Sequence, residues 1–129
     1  MSNSDILTRS NFIDELLPKN NGYIIIKFTA DWCGPCKFIK SLVEEKTTDL
    51  PNTIKYYEIN VDENIDLFSF FKSKRMCKGI PALFAFKKGN LSYAPDYSVI
   101  GADVDEINKF FDLILTTNIQ ETNSTESHY

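Results

Sequence analysis

The feature that most constrains this chain is an apolar run that leads into two closely spaced cysteines. Residues 23–30 are rich in β-branched and aromatic side chains and carry a single charge, Lys27. A short run of this kind between turn signals predicts a central strand that is buried on both faces. Apolar residues then recur at helical spacing over 38–43. Cys33 and Cys36 therefore lie where a buried strand gives way to a helix.

The rest of the chain alternates between short apolar runs and segments of helical periodicity. The pattern first predicts a helix over 12–17 that the segment 18–22 ends, a strand over 54–61, and a helix that Asp62 caps and that carries Phe68 and Phe71. It then predicts strands over 82–86 and 98–100, and a helix over 104–115 that begins with a capping box of Asp103 and Glu106. This order predicts an α/β fold with a central mixed β-sheet and helices on both faces.

Length and composition favour one globular domain. The chain has 129 residues, of which 43% are apolar and 25% charged. We assign the domain to residues 1–116 and expect the polar segment 117–129 to be disordered, because it cannot bury enough apolar surface to offset its ordering entropy. The first residues lack the features of a signal peptide, and a net charge of −4 weighs against nucleic acid or membrane as the main partner. We expect a cytoplasmic monomer.

The residues around the two cysteines suggest redox chemistry. The motif reads Trp32-Cys33-Gly34-Pro35-Cys36-Lys37. A cysteine at a helix N-terminus faces unpaired N–H groups, which lower its pKa from about 8.5 to roughly 3.5–7.5. The two intervening residues place the second sulfur one helical turn away, and a proline is well tolerated in the first helical turn. The motif therefore predicts a reactive pair that can form a disulfide.

A zinc site is the main competing interpretation of this cysteine pair. Structural zinc takes four ligands, so two more would be needed. The chain offers only Cys77 and the single histidine, His128, which lies in the polar tail. We therefore expect no metal at this position.

In the residues around the two cysteines, the chain resembles the thioredoxin family. Residues 32–37 match the active-site motif of that family residue for residue. Gly79-Ile80-Pro81 is similar to its cis-proline loop, and Gly101-Ala102 is similar to the second wall of its substrate groove. The resemblance covers roughly residues 8–116.

The resemblance implies roles for individual residues. Cys33 would attack a disulfide in a partner protein and Cys36 would resolve the mixed disulfide, with the geometry between them set by Gly34 and Pro35. Pro81 would be cis. The residues expected to contact substrate are Trp32, Ile80, Pro81, Gly101 and Ala102, and the backbone of Ile80 would pair with an extended substrate segment.

The family resemblance also implies a reaction and its partners. The chain would reduce disulfides in partner proteins and would be recycled by an NADPH-dependent thioredoxin reductase. Its only redox group would be the Cys33–Cys36 pair, with no bound cofactor. Two alternatives stay open: a disulfide isomerase or oxidase, which the Gly-Pro between the cysteines disfavours, and a binding module within a larger assembly.

The chain departs from the usual residues of the family at positions 27 and 58, outside the cysteine motif. Lys27 stands where the family usually carries a buried aspartate, and Glu58 stands where many members carry the facing lysine. The two residues would then be the same pair with reversed signs, unless Lys27 extends to solvent and Glu58 is simply exposed. A cation behind Cys36 would favour its thiolate and make the protein a weaker reductant. Glu58, or Lys27 in its neutral form, would act as the base.

Overall fold

A computed structural model describes the backbone of residues 5–126 and the side chains of residues 5–119. At its centre is a four-stranded sheet in the order β2-β1-β3-β4. The strands are β1 (Tyr23–Thr29), β2 (Ile54–Asn60), β3 (Ala82–Lys87) and β4 (Tyr97–Ile100). β1 pairs in parallel with β2, and the β1–β3 and β3–β4 pairs are antiparallel. The predicted mixed sheet is confirmed.

Helices cover both faces of the sheet, as the sequence predicts. They are α1, which joins a π-helical segment (Asn11–Leu16) to an α-helical turn (Leu17–Lys19), then α2 (Gly34–Thr47), α3 (Ile65–Ser73) and α4 (Val104–Glu126). α1 and α3 supply apolar side chains to the cluster on one face, and α2 and α4 supply them to the other. None of the helices in residues 5–126 has the length and apolar character that a membrane span requires.

The central strand β1 explains why the apolar run is continuous. Ile24, Ile26 and Phe28 pack into the cluster with α1 and α3, whereas Tyr23 and Ile25 pack into the cluster with α2 and α4. Because successive side chains of a strand point to opposite faces, both sets are buried by helices. Lys27 alternates with Ile25 and therefore lies on the face that α2 and α4 cover.

α1 ends at Lys19, within the segment 18–22 that the sequence predicts as its end, and Pro18 sits in the first turn of its α-helical part, where a missing N–H is tolerated. The start of α3 differs from the sequence prediction. Asp62 does not cap α3, since the residue before that helix is Asn64. The Asn64 amide instead donates to the carbonyl oxygens of Asn60 and Asp5, each at 3.0 Å, and so ties the loop to the body of the domain.

The last helix begins as predicted and continues further than predicted. Asp103 Oδ1 accepts a hydrogen bond from the Glu106 N–H at 3.1 Å, as a capping box requires. At the other end, the boundary that the sequence places after residue 116 falls inside α4. The Thr117 and Tyr23 hydroxyls lie 2.6 Å apart, and the Asn118 amide donates to the Thr53 hydroxyl, so these polar residues bond to the domain. Residues 127–129 lie outside the described residues.

α3 ends in a Schellman motif built on an arginine. The Arg75 N–H donates to the Lys72 carbonyl oxygen and the Met76 N–H donates to the Phe71 carbonyl oxygen, each at 3.0 Å. Arg75 adopts a φ of 62°, in the left-handed region that glycine occupies at lower cost. The helix end is therefore held in a conformation that its own residue disfavours.

We expect Arg75→Gly to raise the free energy of unfolding by about 0.5–1 kcal/mol, because it removes this local strain. Urea denaturation of both proteins measures the difference. Arg75→Ala is the matched control, since it removes the same side chain but keeps a Cβ in the left-handed conformation. An equal gain in both variants would mean that the charge, and not the backbone, is responsible.

Candidate active site

Four loops meet at one edge of the sheet. β1, β2 and β4 all run toward this edge, and β3 starts from it. The loops that follow β1, β2 and β4 carry Cys33, Asp62 and Gly101, and the loop that precedes β3 carries Pro81. The topology thus brings together residues that are up to 68 positions apart in sequence, which is the separation of 33 and 101.

The two cysteines occupy the start of α2. Cys33 is the N-cap residue, Cys36 lies in the first turn, and the two side chains form a disulfide across a Cα–Cα distance of 5.2 Å. The Cys36 N–H donates to Cys33 Sγ at 3.2 Å. A donor in this position stabilises negative charge on the Cys33 sulfur once the disulfide is reduced. Pro35 sits in the same first turn, where it leaves no bond unmade.

The loop before β3 forms one side of the site. The peptide bond between Ile80 and Pro81 is cis, as the resemblance implies. Cys33 Sγ lies 3.9 Å from the Ile80 carbonyl oxygen, so this loop is directly beside the sulfur. The Gly101 N–H donates to the Pro81 carbonyl oxygen at 2.8 Å and fixes the start of the Gly101-Ala102 segment. Gly101 has a φ of 100°, which a residue with a side chain rarely adopts.

Trp32 stands on the outer side of the site with 68% of its surface exposed. Its indole Nε1–H donates to Asp62 Oδ2 at 2.9 Å, which holds the ring in place. This role of Asp62 differs from the helix cap that the sequence predicts for it. Since β1 and β2 are parallel neighbours, residues just after their carboxyl ends meet at one edge, and that signal would have placed Asp62 near Trp32.

A groove of about 540 Å³ opens beside this tryptophan. Its apolar lining consists of Trp32, Val61, Ile65, Phe68 and Ile80. Cys77 also lines the groove and is buried, and its thiol donates to the Gly79 carbonyl oxygen at 3.3 Å. Burial raises the pKa of the Cys77 thiol, so this thiol differs from the cysteines at the helix N-terminus.

Lys27 and Glu58 form the pair that the sequence suggested. They are direct partners in the β1–β2 register, and Lys27 Nζ lies 3.4 Å from Glu58 Oε1. The Lys27 side chain is 2% exposed and that of Glu58 is 27% exposed. Lys27 therefore does not extend to solvent, and its charge is compensated inside the domain while the carboxylate keeps contact with water.

Two further residues bind Glu58. The Tyr56 hydroxyl donates to Glu58 Oε1 at 3.0 Å, and burial, followed by the charge of Glu58, raises the pKa of Tyr56 well above its ordinary value. Asp5 holds the backbone of Glu58 on both sides: the Asp5 N–H donates to the Glu58 carbonyl oxygen at 2.7 Å, and the Glu58 N–H donates to Asp5 Oδ2 at 2.9 Å. Glu58 is thus held by its pairing with Lys27 in β1, by the Tyr56 hydroxyl and by the backbone bonds to Asp5.

Within the part of the chain that the structure describes, no three histidine, cysteine or acidic side chains come together as a metal site would require. His128, the histidine considered as a zinc ligand, lies outside the described residues.

Comparison with known proteins gives one consistent result. Residues 3–112 match the family model described as thioredoxin. The chain is 35% identical over 85 residues to a thioredoxin of Pseudomonas aeruginosa, covering 66% of this chain and 74% of that protein. It is 32% identical over 83 residues to a thioredoxin of Rickettsia bellii, covering 64% and 74% of the two chains.

Solved structures show the same fold. Plasmodium falciparum thioredoxin superposes with a TM-score of 0.63 at 24% identity, over 84% of this chain and 96% of that one. Malassezia sympodialis thioredoxin superposes with a TM-score of 0.62 at 25% identity, over 88% and 91%.

We expect the two halves of the buried pair to contribute unequally to stability. Glu58→Gln leaves the buried ammonium of Lys27 without a counter-charge and should lower the free energy of unfolding by about 3–5 kcal/mol. Lys27→Met leaves a carboxylate that still reaches water and should cost no more than about 1 kcal/mol. Urea denaturation measures both.

The double variant Lys27→Met/Glu58→Gln is the control, because it removes both charges together. It should be close in stability to Lys27→Met alone. Equal losses in the two single variants would contradict the asymmetric burial of the pair.

Proposed function

This chain belongs to the thioredoxin family and is a thiol–disulfide oxidoreductase, and on that premise we propose that Cys33 is its attacking thiolate and Cys36 its resolving thiol. The observation that carries the proposal is the hydrogen bond from the Cys36 N–H to Cys33 Sγ at 3.2 Å. This donor, at the positive end of α2, favours the thiolate of Cys33 and not that of Cys36.

The proposed reaction transfers two electrons from the dithiol to a protein disulfide. The Cys33 thiolate attacks one sulfur of the substrate disulfide, the substrate S–S bond breaks, and the other substrate sulfur leaves as a thiolate. Cys36, after losing its proton, attacks Cys33 Sγ and releases the second substrate sulfur. The substrate ends as two thiols and this chain ends with the Cys33–Cys36 disulfide, the form described above.

We propose that the substrate is held by the surface around Cys33. Trp32, Ile80 and Ala102 supply apolar contact, and the backbone at Ile80 next to the cis Pro81 pairs with an extended segment of the substrate. The bond between Gly101 and Pro81 supports this arrangement, because it ties the two loops on which the surface depends.

Family membership implies disulfide-containing protein substrates and a thioredoxin reductase as partners. We further propose that this reductase draws on NADPH and that the chain acts as a cytoplasmic monomer. The Cys33–Cys36 disulfide is the group that such a reductase would reduce.

Insulin reduction by dithiothreitol tests the two cysteine roles. Cys33→Ser should lower the catalysed rate by about 100-fold or more, because a serine hydroxyl is not ionised at neutral pH. Cys36→Ser should also lose turnover but should accumulate a mixed disulfide with the substrate, which mass spectrometry detects. Cys77→Ser is the matched control and should keep the activity, since that thiol lies outside the exchange steps.

Activity that survives Cys33→Ser would overturn the proposal and favour the alternative of a binding module. A mixed disulfide that accumulates on Cys36 in Cys33→Ser would reverse the assigned roles.

We also propose that the Lys27–Glu58 pair tunes the redox equilibrium of the cysteines. Lys27 lies on the sheet face that α2 covers, and α2 begins with the cysteine pair, whose side chains pack into the cluster on the other face. Lys27 is the more deeply buried partner, so its positive charge is less screened than the charge of Glu58. A cation there favours thiolate and so stabilises the reduced state, which makes the protein a weaker reductant. Glu58, or Lys27 in its neutral form, takes up the proton of Cys36.

The equilibrium with glutathione tests this proposal through opposite shifts. Lys27→Met should move the equilibrium toward the Cys33–Cys36 disulfide by at least about threefold, roughly 15 mV. Glu58→Gln should move it toward the dithiol, because Lys27 then acts without its counter-charge. Shifts in the same direction, or none, would show that the pair has only a structural role.

A further inference from the structure

The groove beside Trp32 is lined by residues of α3 and of the loop before β3. It runs from Trp32 along α3, where Ile65 is 66% exposed and Phe68 is partly buried, to the loop that ends at Ile80. Because Ile80 also contacts Cys33 Sγ, a substrate segment that leaves the disulfide in this direction enters the groove. An exposed isoleucine and tryptophan on either side of a 540 Å³ concavity indicate a place for an apolar side chain.

Two lysines contribute positive charge to the lining of this groove. Lys72, at the end of α3, and Lys78, in the following loop, both line it and are exposed. Lys72 Nζ lies 5.8 Å from the centroid of the Phe68 ring, which keeps the ammonium against the apolar wall. Its charge also acts on the groove residue Cys77, where it opposes the rise in the pKa of the thiol that burial causes.

These lysines belong to a basic segment in an acidic protein. Residues 72–78 contain four basic side chains, whereas the whole chain has a net charge of −4. Lys74 in the same segment points elsewhere, since its Nζ lies over the rings of Phe70 and Tyr93 at 5.9 and 5.4 Å. Among the residues that line the groove, two are basic (Lys72 and Lys78) and one is acidic (Asp62), so the charge of the lining is opposite in sign to the net charge of the chain.

The acidic groups of this region already have partners. Asp62 lines the groove, and its carboxylate accepts the indole hydrogen bond of Trp32. Asp66, on the first turn of α3, accepts a hydrogen bond from the Arg9 N–H at 2.7 Å. The groove lining thus holds one carboxylate, bonded to Trp32, and two ammonium groups, from Lys72 at the end of α3 and from Lys78 in the loop before β3.

We propose that this groove selects substrate proteins that carry an aspartate or glutamate close to the cysteine that Cys33 attacks. An apolar neighbour of that cysteine would pack on Ile65 and Phe68, and the carboxylate would pair with Lys72 and Lys78. This inference rests on the proposed function, because it concerns substrates of the same exchange reaction. Electrostatic complementarity of this kind acts mainly on the rate of association and on the choice between partners.

Three disulfide-bonded peptides of equal length test the inference. They differ at one position, a few residues from the attacked cysteine, which is glutamate, glutamine or lysine. We expect the reduced full chain to give a kcat/KM in the order glutamate, glutamine, lysine, with the first about tenfold above the last at low salt. The ratio should fall toward one near 1 M salt, where the screening length is about 3 Å.

Substitution of the two lysines locates the effect. Lys72→Gln/Lys78→Gln should reduce the glutamate-to-lysine ratio to less than about twofold while leaving the rate on the glutamine peptide within about twofold. Lys72→Glu/Lys78→Glu should invert the preference. Lys74→Gln is the matched control and should keep the ratio, because that side chain faces Phe70 and Tyr93.

The outcomes of these assays distinguish a failure of the selectivity from a failure of the proposed function. If all three peptides are reduced at the same Cys33-dependent rate, the selectivity is wrong and the proposed function stands. If Lys74→Gln lowers the ratio as much as the groove variants do, the groove is not the selecting site. If no peptide is reduced, the proposed function itself has failed.

Discussion

The site depends on one junction, the passage from the end of β1 into the first turn of α2. The Cys36 N–H is directed at Cys33 Sγ because a helix begins there, and the helix begins there because the central strand ends at Thr29. A shift of β1 by one residue would exchange the side chains that fill the clusters on its two faces and would separate Lys27 from Glu58, its partner in β2. The position of the reactive sulfur is therefore set by the core beneath it.

Patterns among neighbouring residues predicted the features of the site that depend on neighbouring residues. The apolar run gave β1, and the residue types at 32–37 placed a disulfide at a helix start. The Lys27–Glu58 pair was also accessible from the sequence, because an alignment on the cysteines and on 60–62 made the two positions face one another. Asp62 was misassigned because its partner, Trp32, lies 30 positions away, and the rules for helix caps consider only neighbours in sequence.

The charge of the groove could not be predicted from the composition. The whole chain has a net charge of −4, yet residues 72–78 contain four basic side chains. Which of these face the groove depends on the Schellman turn at Arg75 and on the rings that Lys72 and Lys74 contact. No count along the sequence separates Lys72 from Lys74, although the structure places them on different surfaces.

The bonds between Asp5 and the backbone of Glu58 have a mechanical consequence. β2 is the outer strand of the described sheet on that side, and Asp5 covers the backbone of the residue that balances the buried lysine. A partner that adds its own strand to this edge has to displace Asp5 first, and it would then bind directly to Glu58. If the Lys27–Glu58 pair tunes the redox equilibrium as proposed, a strand added beside β2 would change the balance of charge near the cysteines and leave the reactive loop itself unaltered.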